Sequence, residues 1–206
     1  MVVTGLRFGA LRGVVSHVCV DMQRVFAEPT AWHVPGLPGI LPAILCLSEA
    51  LPDTTFFTRF LTPPSPAGQP GRWRDYYEGW PSMTLDRLDP ALLDLVEPLA
   101  RLARPDRVFT KRGFSAFAEP DLDRALAGLG ARTLLFTGVE TDVCVLASVL
   151  AAADRGYRCV VVTDAVAGAD EAGHHAALAT TFPRFRFHIE TATSDQVLAA
   201  LDATQG

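Results

Sequence analysis

Lysine occurs once in this chain of 206 residues, at Lys111, and acidic side chains outnumber Lys and Arg by 23 to 18. With a formal charge of −5 and no Lys/Arg-rich run, the chain has no electrostatic footprint for a nucleic-acid backbone. No apolar stretch approaches the ~20 residues that a membrane-spanning helix needs. Cysteine is scarce: Cys19, Cys46, Cys144 and Cys159 are the four, and none forms a C-x-x-C pair. A disulfide framework is therefore not expected. No histidine lies between His33 and His174. The absence of a G-x-S-x-G elbow disfavours a Ser–His–Asp hydrolase, and no G-x-G-x-x-G follows the first apolar run, which disfavours a dinucleotide site. Arg7 and Arg12 precede that run in the manner of a signal peptide. The run contains His17, however, and ends on Asp21 without a small-residue cleavage site. It reads as a first strand, and a cytoplasmic location is expected.

What is present is alternation. Strand-like runs at 14–20, 54–58, 107–110, 133–137, 159–163 and 186–189 are interleaved with helix-like segments at 41–51, 122–129, 143–155, 171–182 and 194–201. The strands are short, rich in β-branched residues and almost continuously apolar, as when helices cover both faces of a parallel sheet. Asp170 and Ser194 are placed to cap two helices, and Gly156 follows Arg155 as a stop. The pattern predicts one domain over 1–206, an α/β three-layer α/β/α sandwich with an open six-stranded parallel sheet.

The segment 63–89 breaks the rhythm. Its first half is dense in proline and glycine and cannot be helix or strand; its second half carries Arg72, Trp73, Arg74, Tyr76, Tyr77 and Trp80. A connection this long in a compact domain is usually functional, covering a site or making a subunit contact.

Cys144 stands apart from the other cysteines. The apolar run 133–139 leads through Glu140-Thr141-Asp142 into the first turn of a helix, and that turn delivers the thiol. A helix N-terminus favours thiolate and can bind an oxyanion, so a reactive cysteine with a lowered pKa is expected. Cys19, Cys46 and Cys159 lie in apolar segments and are expected in the core. In open parallel sheets, sites form outside the carboxyl ends of the strands. Asp21 ends the first strand, Lys111 the third, and Cys144 follows the fourth: a base, a cation and a nucleophile at one sheet edge. His174 and His175 are adjacent rather than spaced i, i+4, and read as surface or internally satisfied groups. His33 reads either as a solvated loop residue or as part of a pocket wall.

These motifs resemble the isochorismatase-like cysteine hydrolase family. The resemblance is carried by Val20-Asp21-Met22-Gln23, Lys111 ahead of Gly113-Phe114-Ser115-Ala116-Phe117, Gly138-Val139-Glu140-Thr141-Asp142-Val143-Cys144-Val145, and Asp164-Ala165-Val166. It implies a catalytic triad of Asp21, Lys111 and Cys144. It also implies a cis peptide between Val139 and Glu140, and an oxyanion hole from backbone N–H groups of Glu140 and Cys144. Nicotinamidase members bind a metal through an Asp and histidines after the second strand; here Phe60-Leu61-Thr62-Pro63 stands there, so no metal or other cofactor is expected.

The reaction implied is hydrolysis of a C–N bond (amide, carbamoyl or ureido) of a small molecule through a thioester. The alternatives are a non-catalytic binding or scaffold member and a vinyl-ether hydrolase of the isochorismate type. Gln23, Phe26, Trp32, Tyr77, Trp80 and Phe114 are the expected substrate contacts, with Arg59, Arg72 and Arg74 available for a carboxylate. A small, partly apolar or planar amide is the expected ligand, with no nucleic acid or membrane partner. A homodimer or homotetramer is the expected assembly.

Overall fold

The computed structural model describes residues 5–203. Six strands, β1 (Val14–Val20), β2 (Thr55–Phe60), β3 (Val108–Lys111), β4 (Ala131–Val139), β5 (Arg158–Ala167) and β6 (Ile189–Ala192), form one sheet in the order β3-β2-β1-β4-β5-β6. Every neighbouring pair is parallel. The helices are α1 (Arg24–Ala27), α2 (Leu37–Ala50), α3 (Arg72–Gly79), α4 (Glu97–Leu102), α5 (Pro120–Gly128), α6 (Leu146–Asp154), α7 (Glu171–Ala176), α8 (Phe182–Arg184) and α9 (Ser194–Asp202).

Side chains alternate across the strands and build two cores, which makes the three layers. Val15, Cys19, Leu135, Val160 and Val162 meet Ile44 and Leu47 of α2 and Val197 and Leu201 of α9 on one face. Val18, Val20, Leu134, Phe136, Cys159 and Val161 meet Leu122 and Leu126 of α5 and Val149 and Ala152 of α6 on the other. Fully burying one such Val or Leu stabilises by roughly 1.5–3 kcal/mol, so these two clusters hold the layers on the sheet. The β6 edge is covered: Gly5 N–H donates to Thr191 O at 2.7 Å, and Arg7 Nη2 to Ile189 O at 2.8 Å. Such pairing blunts an edge that could otherwise pair with another chain.

Three local expectations need correction. The last strand lies at Ile189–Ala192 rather than 186–189. Phe185 and Phe187 alternate with arginine as a strand would, yet they are 38% and 75% exposed in the preceding loop, while the true strand carries fully buried Glu190, paired with Arg158 at 2.7 Å. The cap of α9 is Thr193, in a capping box with Gln196; Ser194 is one residue inside and binds Asp164 instead. Cys46 is exposed, on the solvent side of α2. Asp170 does cap α7, and Gly156 stops α6 at a φ of +84°.

The order reverses between β1 and β4, so a crevice opens outside their carboxyl ends. Those two ends approach unusually closely. A Cβ on Gly138 would lie 2.0 Å from Val20 O, so only glycine fits at this position, at a φ of +101°. In the 63–89 segment the aromatic half is helical as α3, which the sequence reading did not anticipate.

Candidate active site

Asp21, immediately past β1, has a φ of +50°, a left-handed conformation that Asp adopts more readily than most residues. Thr58 of β2 holds it there. Asp21 N–H donates to Thr58 Oγ1 at 3.1 Å, and the hydroxyl in turn donates to Asp21 Oδ1 at 2.6 Å. The other oxygen, Oδ2, lies 2.7 Å from Lys111 Nζ as an ion contact, without an aligned hydrogen bond. Lys111 Nζ also donates to Gly113 O (3.1 Å), Phe114 O (2.9 Å) and Cys144 Sγ (3.4 Å). All three side chains are buried. The structure thus brings Asp21, Lys111 and Cys144 together at one point of the sheet edge.

Electrostatics at this point differ from the expectation of a lowered thiol pKa. Burial and the neighbouring Asp21 carboxylate push the Cys144 thiol up to about 12, against the opposite pull of Lys111. The turn Thr141–Val145 is π-helical, Cys144 is its fourth residue, and the N–H groups of Val143 and Val145 already donate to Glu140 O. The resting thiol is therefore protonated, beside a carboxylate oxygen with free acceptor capacity. Burial alone would lower the Lys111 pKa, but Asp21 and Cys144 beside it raise it, so the ammonium stays charged.

Glu140 follows the cis Val139–Glu140 peptide. Its carboxylate accepts from Ala169 N at 2.9 Å, and burial raises its pKa against that bond. His174 Nδ1 meets Thr141 Oγ1 at 2.8 Å, an internally satisfied position. Ser148 Oγ donates to Cys144 O at 2.6 Å and accepts from Ala116 N at 2.8 Å, tying the 113–117 loop to α6.

A cavity of about 30 Å³ touches the thiol and is lined by Phe26, Trp32, Phe60, Tyr76, Phe114, Glu140, Val143 and Cys144. Of the expected contacts, Phe26, Trp32 and Phe114 line this cavity. Three expected contacts do not. Gln23 is fully buried, donating to Phe60 O and Leu93 O and accepting from Phe60 N, so its amide is a structural bracket. Tyr77 lines a different cavity, and Trp80 lies at the C-cap of α3, 40% exposed and lining neither. With α3 formed, Trp73 and Tyr77, one helical turn apart, line that other cavity together, and Tyr76 is the residue of the three that reaches the thiol's cavity. Arg59 is engaged by Asp94 at 3.0 Å, and Arg72 by Asp75 at 2.7 Å. Tyr76 belongs to the aromatic loop expected to cover the site; Thr58 and Phe60 were not foreseen. Thr58 had one signal, a hydroxyl inside an apolar strand run.

Residues 16–193 match the family model of the isochorismatase domain. The chain belongs to the isochorismatase family. A cysteine hydrolase from Pseudomonas syringae pv. phaseolicola 1448A superposes with a TM-score of 0.77 at 26% identity, over 92% of both chains. Nicotinamidase 3 of Arabidopsis thaliana is 27% identical over 168 residues, 80% of this chain and 79% of that protein. Ureidoacrylate amidohydrolase RutB of Methylobacterium radiotolerans is 34% identical over 111 residues; the match spans 53% of this chain and only 42% of that relative.

The residues at the end of β2 and just after it do not fit a metal. Phe60 packs its ring on Trp32 and Trp73, Leu61 and Pro63 have no side-chain donor atom, and Thr62 offers one neutral hydroxyl. Among the described residues no group of three His, Cys, Asp or Glu side chains is placed to hold an ion.

Thr58 acts as a positioning residue for Asp21. Thr58→Val should lower kcat by about ten- to a hundredfold, the scale that small misplacements within a site produce, with a smaller change in KM. Thr58→Ser should recover most of the loss. Equal loss in both variants would show that a hydroxyl at this position is not sufficient to hold the Asp21 carboxylate.

Proposed function

We propose that this isochorismatase-family protein is a cysteine hydrolase that cleaves a C–N bond of a small amide, carbamoyl or ureido compound. One observation carries the reading: a buried lysine contacts both a carboxylate oxygen, at 2.7 Å, and a thiol, at 3.4 Å, at the switch point of the sheet. A structural cysteine needs neither partner. The relatives named nicotinamidase and ureidoacrylate amidohydrolase support the bond type.

The geometry supports the following roles. The thiol is neutral at rest, so the carboxylate of Asp21 takes its proton as sulfur attacks the carbonyl carbon. Lys111 offsets the charge that grows on sulfur. The carbonyl oxygen becomes an oxyanion, which we assign to backbone N–H groups of Glu140 and Cys144. Protonated Asp21 then gives its proton to the departing nitrogen, the C–N bond breaks, and a thioester remains. Asp21 next removes a proton from water, which attacks the thioester. The acid leaves, and the thiol recovers its proton. Thr58 keeps one carboxylate oxygen fixed throughout, so the other faces the proton in transit.

A panel of primary amides, N-carbamoyl and ureido compounds assayed for ammonia or amine release tests the reaction. Intact-protein mass spectrometry after acid quench tests the thioester. Release with no acyl adduct under rapid-quench conditions would argue against covalent catalysis. Activity is expected to survive prolonged dialysis against a chelator, because the donor set after β2 cannot hold a divalent ion. Loss on chelation, restored by zinc or manganese, would overturn that expectation.

A further inference from the structure

The cavity at the thiol, about 30 Å³, accommodates little more than a water or two. Small-molecule sites run to ~300–1,000 Å³. A second cavity of about 560 Å³ lies immediately beyond. The two share no lining residue and adjoin across one loop and one ring pair. Gly113 lines the larger cavity, while its carbonyl accepts from Lys111 Nζ. Trp73 lines the larger and Phe114 the smaller, with ring centroids 4.9 Å apart, so this aromatic pair is the wall between them.

The larger cavity is not a void of apolar packing. Thr62 lines it, is 4% exposed, and its Oγ1 has no hydrogen-bond partner, an arrangement that costs ~1–3 kcal/mol unless a ligand or water completes it. Tyr77 and Trp73 supply a flat apolar side. Arg112 lines it too, exposed and without an acidic partner among the described residues. Arg59 and Arg72, discussed above, are each engaged by a carboxylate. Glu119, also on the lining and unpaired, sets an opposing charge against a second anionic group.

From these observations we propose that the cavity bounded by Thr62, Trp73, Tyr77 and Arg112 is a recognition subsite for the non-reacting end of the substrate, and that this end carries a single carboxylate. The ligand's reacting amide sits at Cys144, its body displaces the Trp73–Phe114 contact, and its carboxylate meets Arg112, with Thr62 donating a hydrogen bond. This deepens the amide-hydrolase reading and rests on it for the reacting end only.

The test separates binding from turnover. Binding of ω-carboxy primary amides, succinamate to adipamate, to the Cys144→Ala protein is followed by calorimetry, beside neutral alkyl amides of equal length. At least one acid should bind at least tenfold more tightly than its neutral counterpart, and Arg112→Gln in the same background should erase that preference. Thr62→Val should weaken the acid severalfold. In the active protein, Arg112→Gln should lower the ratio of kcat/KM for the acid to that for the neutral amide about tenfold. If no acid binds, or if Arg112→Gln leaves the ratio of affinities intact, the subsite is wrong. Preferential binding without turnover would retain the subsite and sink the hydrolase reading instead.

Discussion

Cys144→Ala is expected to abolish hydrolysis, lowering kcat by at least about 10⁴-fold, the scale on which single nucleophile deletions act. The fold should survive. Cys144 is almost completely buried, but the loss of Sγ leaves Lys111 Nζ with the Asp21 carboxylate and the carbonyls of Gly113 and Phe114. No charge is orphaned, so the melting temperature should move by only a few degrees. Asp21→Asn should be nearly as inactive, because an amide cannot cycle the proton between sulfur, leaving nitrogen and water. It should be less stable than Cys144→Ala, since it leaves the Lys111 ammonium buried without its counter-charge. Steady-state rates and thermal melts of the two variants check both statements. Retention of a tenth of wild-type kcat in Cys144→Ala would end the covalent mechanism.

The same geometry predicts how the thiol behaves without substrate. A reactive, low-pKa cysteine would be alkylated quickly near neutral pH. Here burial and Asp21 hold the proton on sulfur, so the resting thiol should react slowly, and activation belongs to the moment when a carbonyl is in place. Slow alkylation is therefore compatible with catalysis at this site, and fast labelling is the wrong criterion for it.

The sheet was legible in the sequence because its signal is local. Near-continuous apolar runs such as Val18-Cys19-Val20 and Leu134-Leu135-Phe136 occur only where both faces are covered, and the structure covers them. The positions of Asp21, Lys111 and Cys144 followed from one topological rule applied to strand ends. The pocket wall was legible only in composition. Tyr76, Tyr77 and Trp80 are neighbours in sequence, and choosing among them requires the tertiary placement of α3, a helix that its Arg-containing, weakly apolar sequence does not declare. The expected thiol pKa differs for a related reason: a helix start predicts a favourable dipole, but the π-helical turn and near-complete burial are tertiary facts. Gln23 illustrates the converse. It adjoins the Asp21 motif and looks functional, yet its amide is consumed by the backbone of Phe60 and Leu93.

Acid should unfold this protein through His17, a residue outside the site. The side chain lies inside β1, fully buried, with Nε2 2.7 Å from Thr137 Oγ1 and Nδ1 within 3.5 Å of the Ser48 and Thr55 hydroxyls. Burial without a carboxylate partner lowers its pKa from 6.5 to about 3. The sign is fixed by which state binds the proton. Below pH 6.5 the unfolded chain protonates this imidazole and the folded chain does not, so stability falls as pH drops, until about pH 3. At ~1.4 kcal/mol per pH unit, the full loss from 6.5 to about 3 is about 5 kcal/mol, much of the stability of an ordinary domain. His174 is shifted the same way but is only partly buried and contributes less, and Glu140, raised by burial, works in the opposite direction. The informative window is pH 6.5 to 4.5, above the range where exposed carboxylates titrate. Urea midpoints across that window should fall steadily in the wild type. In His17→Gln, which keeps a donor and an acceptor but cannot take up the proton, they should be nearly flat, even if that variant is less stable at pH 7. An equal slope in both proteins would show that the acid sensitivity arises elsewhere.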